Sequence, residues 1–77
     1  MSWKEENNTL QKDFTFKDFS EAFAFMTRVA MLAEKADHHP EWSNVWNKVS
    51  ITLSTHSEGR KITQKDIDMA KAIEQLA

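Results

Sequence analysis

The sequence contains no cysteine, one glycine (Gly59) and one proline (Pro40) among its 77 residues. Without cysteine no disulfide can stabilise the fold, and a domain of this size buries only a modest part of its unfolded surface. The usual remaining sources of stability are a metal ion, unusually good packing or a partner subunit. We therefore expect a homo-oligomer, either a dimer or a tetramer.

Linkers and strong charge are also absent. Neither the glycine nor the proline lies in a low-complexity stretch, which predicts a single domain over residues 1–77. A net charge of -2 gives no general attraction to nucleic-acid phosphates or anionic membranes. No stretch approaches the ~20 apolar residues that cross a bilayer, and the start lacks the basic and apolar parts of a secretory signal. We expect a cytoplasmic protein that binds neither nucleic acid nor membrane.

Short stretches rich in apolar, β-branched and aromatic residues predict two β-hairpins. In the first, residues 10–16 pair with residues 3–6 across Asn7-Asn8-Thr9. In the second, two strands within residues 45–55 join at Asn47-Lys48. Because side chains alternate along a strand, the last strand has a core side and a polar side. The core side carries Val49, Ile51 and Leu53, and the polar side carries Ser50, Thr52, Ser54 and His56.

The first predicted helix covers about residues 16–36, with Thr15 as its N-cap and Asp18 three residues later. Residues at three-and-four spacing predict its core-facing side. They are Phe19, Ala22, Phe23, Met26, Val29, Ala30 and Ala33. Phe25 and Leu32 lie off this side, so we expect them at a subunit contact or an auxiliary packing surface.

The second helix follows a clear start signal. Thr63 is the predicted N-cap and Asp66 the other half of a capping box. Pro40 separates the two helical regions, because the residue before a proline is driven out of helical conformation. The buried side is predicted at Ile67, Ala70, Ile73 and Leu76. The element order β-β-α-β-β-α predicts an α+β fold, with a four-stranded antiparallel sheet and the helices on one face.

The three histidines lie at two places: His38 and His39 follow the first helix, and His56 follows a predicted strand. Histidine titrates nearest to neutral pH, so it can donate and accept protons at a reacting centre. The residues alone also allow a plain polar loop before Pro40. A zinc site is a third explanation, although the spacing matches no usual zinc motif. Nucleophilic catalysis has no support, because cysteine and a Gly-x-Ser-x-Gly motif are both absent.

Residues 34–56 resemble the signature of the pterin-4a-carbinolamine dehydratases. The signature has an acidic residue four positions before a His-His-Pro triplet, then an aromatic residue, a histidine and a later aspartate. These positions are Glu34, His38-His39-Pro40, Trp46, His56 and Asp66. Residues 14–30 and 66–75 are also similar to this family, so the resemblance covers nearly the whole chain.

Two features depart from the common family pattern. Trp46 stands where tyrosine is most common. Trp3 lies almost at the start of the sequence, whereas family members commonly carry a helical segment ahead of the corresponding tryptophan. That segment would cover part of the subunit interface.

The resemblance implies a hydro-lyase that converts a 4a-hydroxytetrahydropterin, such as 4a-hydroxytetrahydrobiopterin, into the quinonoid dihydropterin during tetrahydropterin recycling. An acid helps the 4a-hydroxyl leave as water, and a base takes the proton from N5. The resemblance implies His38 and His56 as this acid and base, in either order, with His39 holding the pterin and assisting. It implies no metal and no redox cofactor.

The implied substrate-binding set is Glu34, His38, His39, Pro40, Trp42, Thr55, His56 and Ser57. Glu34 would orient an imidazole, although an exposed helix carboxylate explains it equally well. Trp42 would stack on the pterin, although tryptophan in a small domain more often belongs to the core. We assign Asp66 to helix capping, because the capping box accounts for it.

The resemblance also implies a second class of function, a non-catalytic protein-binding module. Some animal members are dimerisation cofactors of a homeodomain transcription factor, which they contact through their self-assembly surface. Such a cofactor would also occur in the nucleus. Because the histidine signature is complete, we expect catalysis and keep the binding module as the alternative.

Overall fold

The computed structural model describes residues 2–77. Its strands are β1 (Lys4–Glu6), β2 (Thr9–Thr15), β3 (Glu41–Val45) and β4 (Lys48–Leu53), and its helices are α1 (Phe19–Ala36) and α2 (Gln64–Leu76). A 3-10 turn at His56–Glu58 precedes α2. The strands form one antiparallel sheet in the order β1-β2-β4-β3. The predicted α+β fold and element order are confirmed.

Both helices cover the same face of the sheet. Phe14 on β2 lies opposite Val49 on β4, and Trp42 on β3 lies opposite Ile51, so these side chains project from one face. Together with the inner sides of α1 and α2, this face forms a single core. Its buried members are Trp3, Leu10, Phe14, Ala22, Phe25, Val29, Ala33, Val49, Ile51, Leu53, Met69, Ala70 and Ile73.

Helix α1 begins at Phe19, and its N-cap is Asp18 instead of the predicted Thr15. The Asp18 carboxylate accepts a hydrogen bond of 2.9 Å from the Glu21 backbone N–H. Thr15 is the last residue of β2 and pairs with Lys48. The prediction was wrong because the strand pattern and the cap pattern overlap at Thr15, and the sheet pairing takes that residue.

The buried side of α1 is also rotated from the prediction. Ala22, Val29 and Ala33 are buried as expected, but so is Phe25, which was expected at a subunit contact. Its ring centroid lies 4.9 Å from those of both Phe14 and Phe16. Residues 22, 25, 29 and 33 share the three-and-four spacing of the predicted side. The rings of Phe14 on β2 and of Phe16 just after it select this stripe. Phe19 and Phe23 are therefore exposed, and Leu32 is partly buried against the core.

The second hairpin lies earlier than predicted. Strand β3 starts at Glu41, and the turn is Trp46-Asn47 instead of Asn47-Lys48. Trp46 adopts a left-handed φ of 49°. The Asn44 side-chain amide donates to the carbonyls of Trp46 and Lys48 at 3.2 and 2.8 Å. This side-chain support fixes the turn one residue earlier than its strand pattern indicated.

Helix α2 begins as predicted, with a complete capping box between Thr63 and Asp66. Ala70 and Ile73 are buried, whereas the other two predicted residues of this side, Ile67 and Leu76, are only partly buried. Met69 is buried in addition. In the part of the chain that the structure describes, neither helix is long and apolar enough to cross a membrane.

Candidate active site

A shallow, mostly polar pocket of about 230 Å³ lies where the end of α1, the end of β4 and the start of α2 meet. It brings together all three histidines, although they come from two separate segments of the chain. The lining residues are Asp37, His38, His39, Ser54, Thr55, His56, Ser57 and Lys65. Five of the predicted site residues thus share one pocket: His38, His39, Thr55, His56 and Ser57.

The other three predicted site residues lie outside this lining. Glu34 is on the last turns of α1 and reaches His39 from outside the pocket. Pro40 is half-buried between the histidine pair and β3. Trp42 packs its side chain against the edge of the core. Its position corresponds to the core role that we considered as the alternative to stacking.

The end of α1 determines where the histidine pair lies. Asp37 adopts a left-handed conformation with φ of 51°, which reverses the chain direction. The His38 backbone N–H then donates to the Ala33 carbonyl at 3.1 Å, closing the helix end. Pro40 follows and favours extended backbone, so that β3 starts at once. The pair is therefore held between a closed helix end and an edge strand.

His56 has a different local structure from the one predicted. Strand β4 ends at Leu53, and His56 begins the 3-10 turn instead of continuing the polar side of the strand. Thr55 pairs with Lys61 through the Thr55 N–H and the Lys61 carbonyl at 2.9 Å. That bridge closes a short loop containing the left-handed Gly59, and the closure turns the chain away from the sheet.

His38 is held by a buried carboxylate. Its Nε2 lies 2.6 Å from Oδ1 of Asp66, whose side chain is fully buried. The other carboxylate oxygen, Oδ2, accepts hydrogen bonds from the Thr55 hydroxyl at 2.7 Å and from the Thr63 backbone N–H at 2.9 Å. The assignment of Asp66 to helix capping was therefore incomplete. The capping box holds the Asp66 carboxylate where it also contacts His38.

The environment keeps Asp66 ionised. Burial opposes ionisation of its carboxyl group, but hydrogen bonds from the Thr63 backbone, Thr55 and His38 outweigh it and hold the pKa below its ordinary value of 3.8. An ionised carboxylate beside Nε2 favours a proton on that nitrogen. His38 Nδ1 is then the ring nitrogen left to exchange a proton.

The other two imidazoles are held more loosely. His39 Nε2 lies 3.0 Å from Glu34 Oε1, with both side chains more than half exposed. His56 Nε2 lies 3.4 Å from Glu41 Oε1, again with half or more of each side chain exposed. Such exposed pairs contribute little to stability, so His38 is the firmly oriented member of the three.

Ser54 is a pocket residue that the sequence analysis missed. We predicted it on the polar side of β4, but only 6% of its surface is exposed. Its hydroxyl has no hydrogen-bond partner among residues 2–77, which is unusual for a buried polar group. Asp37 and Lys65 also line the pocket without having been predicted. The run from Glu34 to His56 that resembles the family includes Asp37 and Ser54, and this was the available signal for them.

The zinc alternative lacks a ligand set in the described residues. Between Ser2 and Ala77 no three histidine, aspartate or glutamate side chains converge closely enough to hold a metal ion. The histidine contacts in this region are instead pairings of one imidazole with one carboxylate.

Comparison with known proteins identifies the family. Residues 1–76 match the family model described as pterin 4 alpha carbinolamine dehydratase. The chain belongs to this family. It is 61% identical over 70 residues to a Rhizorhabdus wittichii protein provisionally named pterin-4-alpha-carbinolamine dehydratase, an alignment covering 91% of this chain and 71% of the relative. A Prochlorococcus marinus protein with the same provisional name is 53% identical over 75 residues, covering 97% and 78%.

Solved structures of similar proteins have the same fold. A transcriptional coactivator/pterin dehydratase from Brucella melitensis superposes with a TM-score of 0.92 at 47% identity, covering 97% of this chain and 81% of that one. A pterin dehydratase-like protein, identified as a RuBisCO assembly factor in the alpha-carboxysome, superposes with a TM-score of 0.86 at 26% identity. That match covers 100% of this chain and 90% of the other. The family fold thus occurs in proteins with different described functions.

Proposed function

We propose that this pterin dehydratase family member removes water from a 4a-hydroxytetrahydropterin by acid–base catalysis with its histidines. The observation that carries the proposal is the pocket in which His38, His39 and His56 meet, with His38 oriented by the ionised Asp66. Imidazoles donate and accept protons near neutral pH, which the reaction requires. Membership in the family supports the dehydratase chemistry.

The reaction needs two proton transfers and no change of oxidation state. The bond between C4a and the hydroxyl oxygen breaks while an acid protonates that oxygen, and water leaves. A base takes the proton from N5, and the electron pair released forms the C4a–N5 double bond of the quinonoid dihydropterin. One proton is given and one is taken, so the side chains together return to their starting charge and no metal or redox cofactor is required.

His38 and His56 are the proposed acid and base, in an order set by the pterin face that carries the hydroxyl. His39 holds the ring and assists. Ser57 and the backbone of the 3-10 turn offer donors and acceptors to the polar edge of the pterin. The Thr55 hydroxyl and N–H already donate to Asp66 and Lys61, so Thr55 supports the pocket wall. Because Nε2 of His38 faces Asp66, its Nδ1 is the nitrogen assigned to the proton transfer.

The substrate proposed for the test is 4a-hydroxytetrahydrobiopterin. It is generated in situ by a phenylalanine hydroxylase, and its dehydration is followed by ultraviolet absorbance. We expect His38→Ala and His56→Ala each to lower kcat about 10²-fold or more, because each removes one proton transfer. The control Glu5→Gln changes an exposed residue of β1 and should keep wild-type activity. Activity that survives both histidine substitutions in folded protein would contradict the proposed roles.

A second candidate function is protein binding through the outer side of α1, in the homo-oligomer or with another protein. Phe19, Phe23 and Met31 are 49%, 55% and 68% exposed on α1, and the ring centroids of Phe19 and Phe23 lie 5.9 Å apart. A pair of exposed aromatic rings is a suitable anchor for a protein contact. This α1 outer surface replaces the predicted contact through Phe25. The coactivator and assembly-factor descriptions of the two structural neighbours belong to those proteins and are consistent with such use of the fold.

A further inference from the structure

Among residues 2–77, three carboxylates contact an imidazole, those of Glu34, Asp66 and Glu41. Glu41 is neither a signature position nor a member of the predicted site. Its Oε1 lies 3.4 Å from Nε2 of His56 and 3.6 Å from Nη2 of Arg60. Asp66 meets Nε2 of His38, and Glu34 meets Nε2 of His39. Each of the three imidazoles therefore presents the same nitrogen to a carboxylate.

The fold determines that Glu41 reaches His56. Glu41 is the first residue of the edge strand β3 and lies opposite Thr52 on β4. The next pair, Trp42 and Ile51, packs on the core side, so Glu41 projects from the opposite, uncovered face. His56 follows the end of β4 by three residues, which brings its ring back beside this end of β3.

We propose that Glu41 is a positioning residue for His56: its carboxylate favours the tautomer with the proton on Nε2 and so leaves Nδ1 to exchange the proton of the reaction. This inference rests on the proposed dehydratase function. A carboxylate that accepts from one ring nitrogen favours the tautomer with the proton on that nitrogen. The Glu41 contact is looser than those of Asp66 and Glu34, since 3.4 Å is an ion-pair distance without hydrogen-bond geometry, so a partial shift of the tautomer is expected. Glu41 is not itself a lining residue of the pocket and does not touch the substrate in this assignment, so it acts only through its contact with His56.

Arg60 provides a way to separate positioning from simple loop anchoring. It shares the Glu41 carboxylate with His56 and has a left-handed φ of 58° in the loop that follows the 3-10 turn. If Glu41 acts on His56, Arg60 competes for the same negative charge. If Glu41 only anchors the loop, it does so partly through Arg60, and substitution of either residue should lower kcat equally.

The direct test measures the tautomer of each histidine by the ¹⁵N chemical shifts of its ring nitrogens, at mildly alkaline pH where imidazoles are neutral. We expect Glu41→Gln and Glu41→Ala to lower the Nε2–H fraction of His56 and to leave His38 and His39 unchanged. Arg60→Gln should keep or raise that fraction. Glu58→Gln is the matched control, because it removes a carboxylate from the 3-10 turn that contains His56. It should leave the tautomers of all three histidines unchanged. These spectra do not depend on whether the protein has dehydratase activity.

Kinetics then connect the tautomer to the reaction. We expect Glu41→Gln to lower kcat about two- to fivefold with little change in KM, in keeping with an exposed contact. Arg60→Gln should not lower kcat. An unchanged His56 tautomer in both Glu41 variants would overturn the inference, as would equal losses in Glu41→Gln and Arg60→Gln. Inactive wild-type protein with the expected spectra would instead refute the proposed function and leave the positioning contact standing.

Discussion

At the scale of single residues, the pocket combines one buried, hydrogen-bonded imidazole with two exposed ones. His38 contacts a carboxylate that is itself fixed by Thr55 and by the start of α2. His39 and His56 contact carboxylates that are largely exposed to solvent. One buried and two exposed imidazoles would suit the proposed 4a-hydroxytetrahydropterin, whose hydroxyl can lie on either face of the ring.

Asp66 links stability and activity, so its substitutions should affect both. Asp66→Ala removes the capping box and leaves the Thr55 hydroxyl and the His38 ring without their buried partner. We expect the free energy of unfolding to fall by about 2 to 4 kcal/mol in urea titrations. Asp66→Asn keeps the shape and one acceptor, so it should fold but lower kcat about tenfold or more by releasing His38. Wild-type kcat in folded Asp66→Asn would show that the contact has no role in the reaction.

The lowered pKa of Asp66 predicts how stability depends on pH. A carboxyl group whose pKa is lower in the folded state than its ordinary 3.8 stabilises the fold above that value and loses this contribution as pH falls through the folded value. We therefore expect the stability difference between wild type and Asp66→Asn to shrink below about pH 4. Glu74, whose pKa is lowered by its hydrogen bond to Lys12, contributes to both proteins alike. A difference that stays constant from pH 7 to pH 3 in urea titrations would contradict this assignment.

At the scale of secondary-structure elements, the sequence predicted helix starts and turns that depend only on residues close together in the chain. Thr63 and Asp66 form their capping box within one helical turn. The first hairpin turns at Asn7 and Asn8, both left-handed, and Thr9, which was predicted in the turn, already belongs to β2. The buried side of α1 could not be predicted from the sequence alone. Two stripes have suitable spacing, and only contact with Phe14 of β2 and with Phe16, the residue after β2, selects the one containing Phe25.

The same distinction applies to the pocket. The histidines, Thr55 and Ser57 could be predicted as a group from their residue types and family resemblance. Asp66 and His38 are 28 positions apart in the sequence, so their contact could not be predicted from local pattern. The capping box already explained Asp66, and no second role was assigned to it. The contact of Glu41 with His56 depends on the register of β3 against β4. The predicted hairpin began at residue 45, so Glu41 lay outside it and the contact could not be predicted.

Helix α1 offers a matched pair of substitutions. Phe25 is fully buried, whereas Phe23, two positions earlier, is 55% exposed. We expect Phe25→Ala to cost about 3 to 5 kcal/mol and Phe25→Leu about 1 to 2 kcal/mol, because a cavity opens against β2. Phe23→Ala should cost about 0.5 kcal/mol or less in the monomer. Urea unfolding of the three variants, at protein concentrations where each is monomeric, measures these values. Similar costs at both positions in the monomer would mean that the buried stripe is wrongly assigned.

At the scale of the whole molecule, the α1 outer surface bears on assembly. A 77-residue chain without disulfides is expected to have a small free energy of unfolding. The exposed side chains of Phe19, Phe23 and Met31 provide apolar area that assembly could bury. We expect wild-type protein to sediment as a dimer or tetramer and Phe23→Glu to sediment as a smaller species, since a charge there would be desolvated by assembly. Wild-type protein that is monomeric at high micromolar concentration would contradict an oligomer built on this surface.

The dehydratase proposal unites the pocket, the family and the histidine chemistry, and one rate measurement tests it most directly. Wild-type protein is added in catalytic amount to freshly formed 4a-hydroxytetrahydrobiopterin, and the loss of the 4a-hydroxyl is followed by ultraviolet absorbance. We predict many turnovers per chain at neutral pH, at a rate well above spontaneous dehydration. A folded, assembled protein that leaves the spontaneous rate unchanged would contradict the account and favour a binding role for this fold.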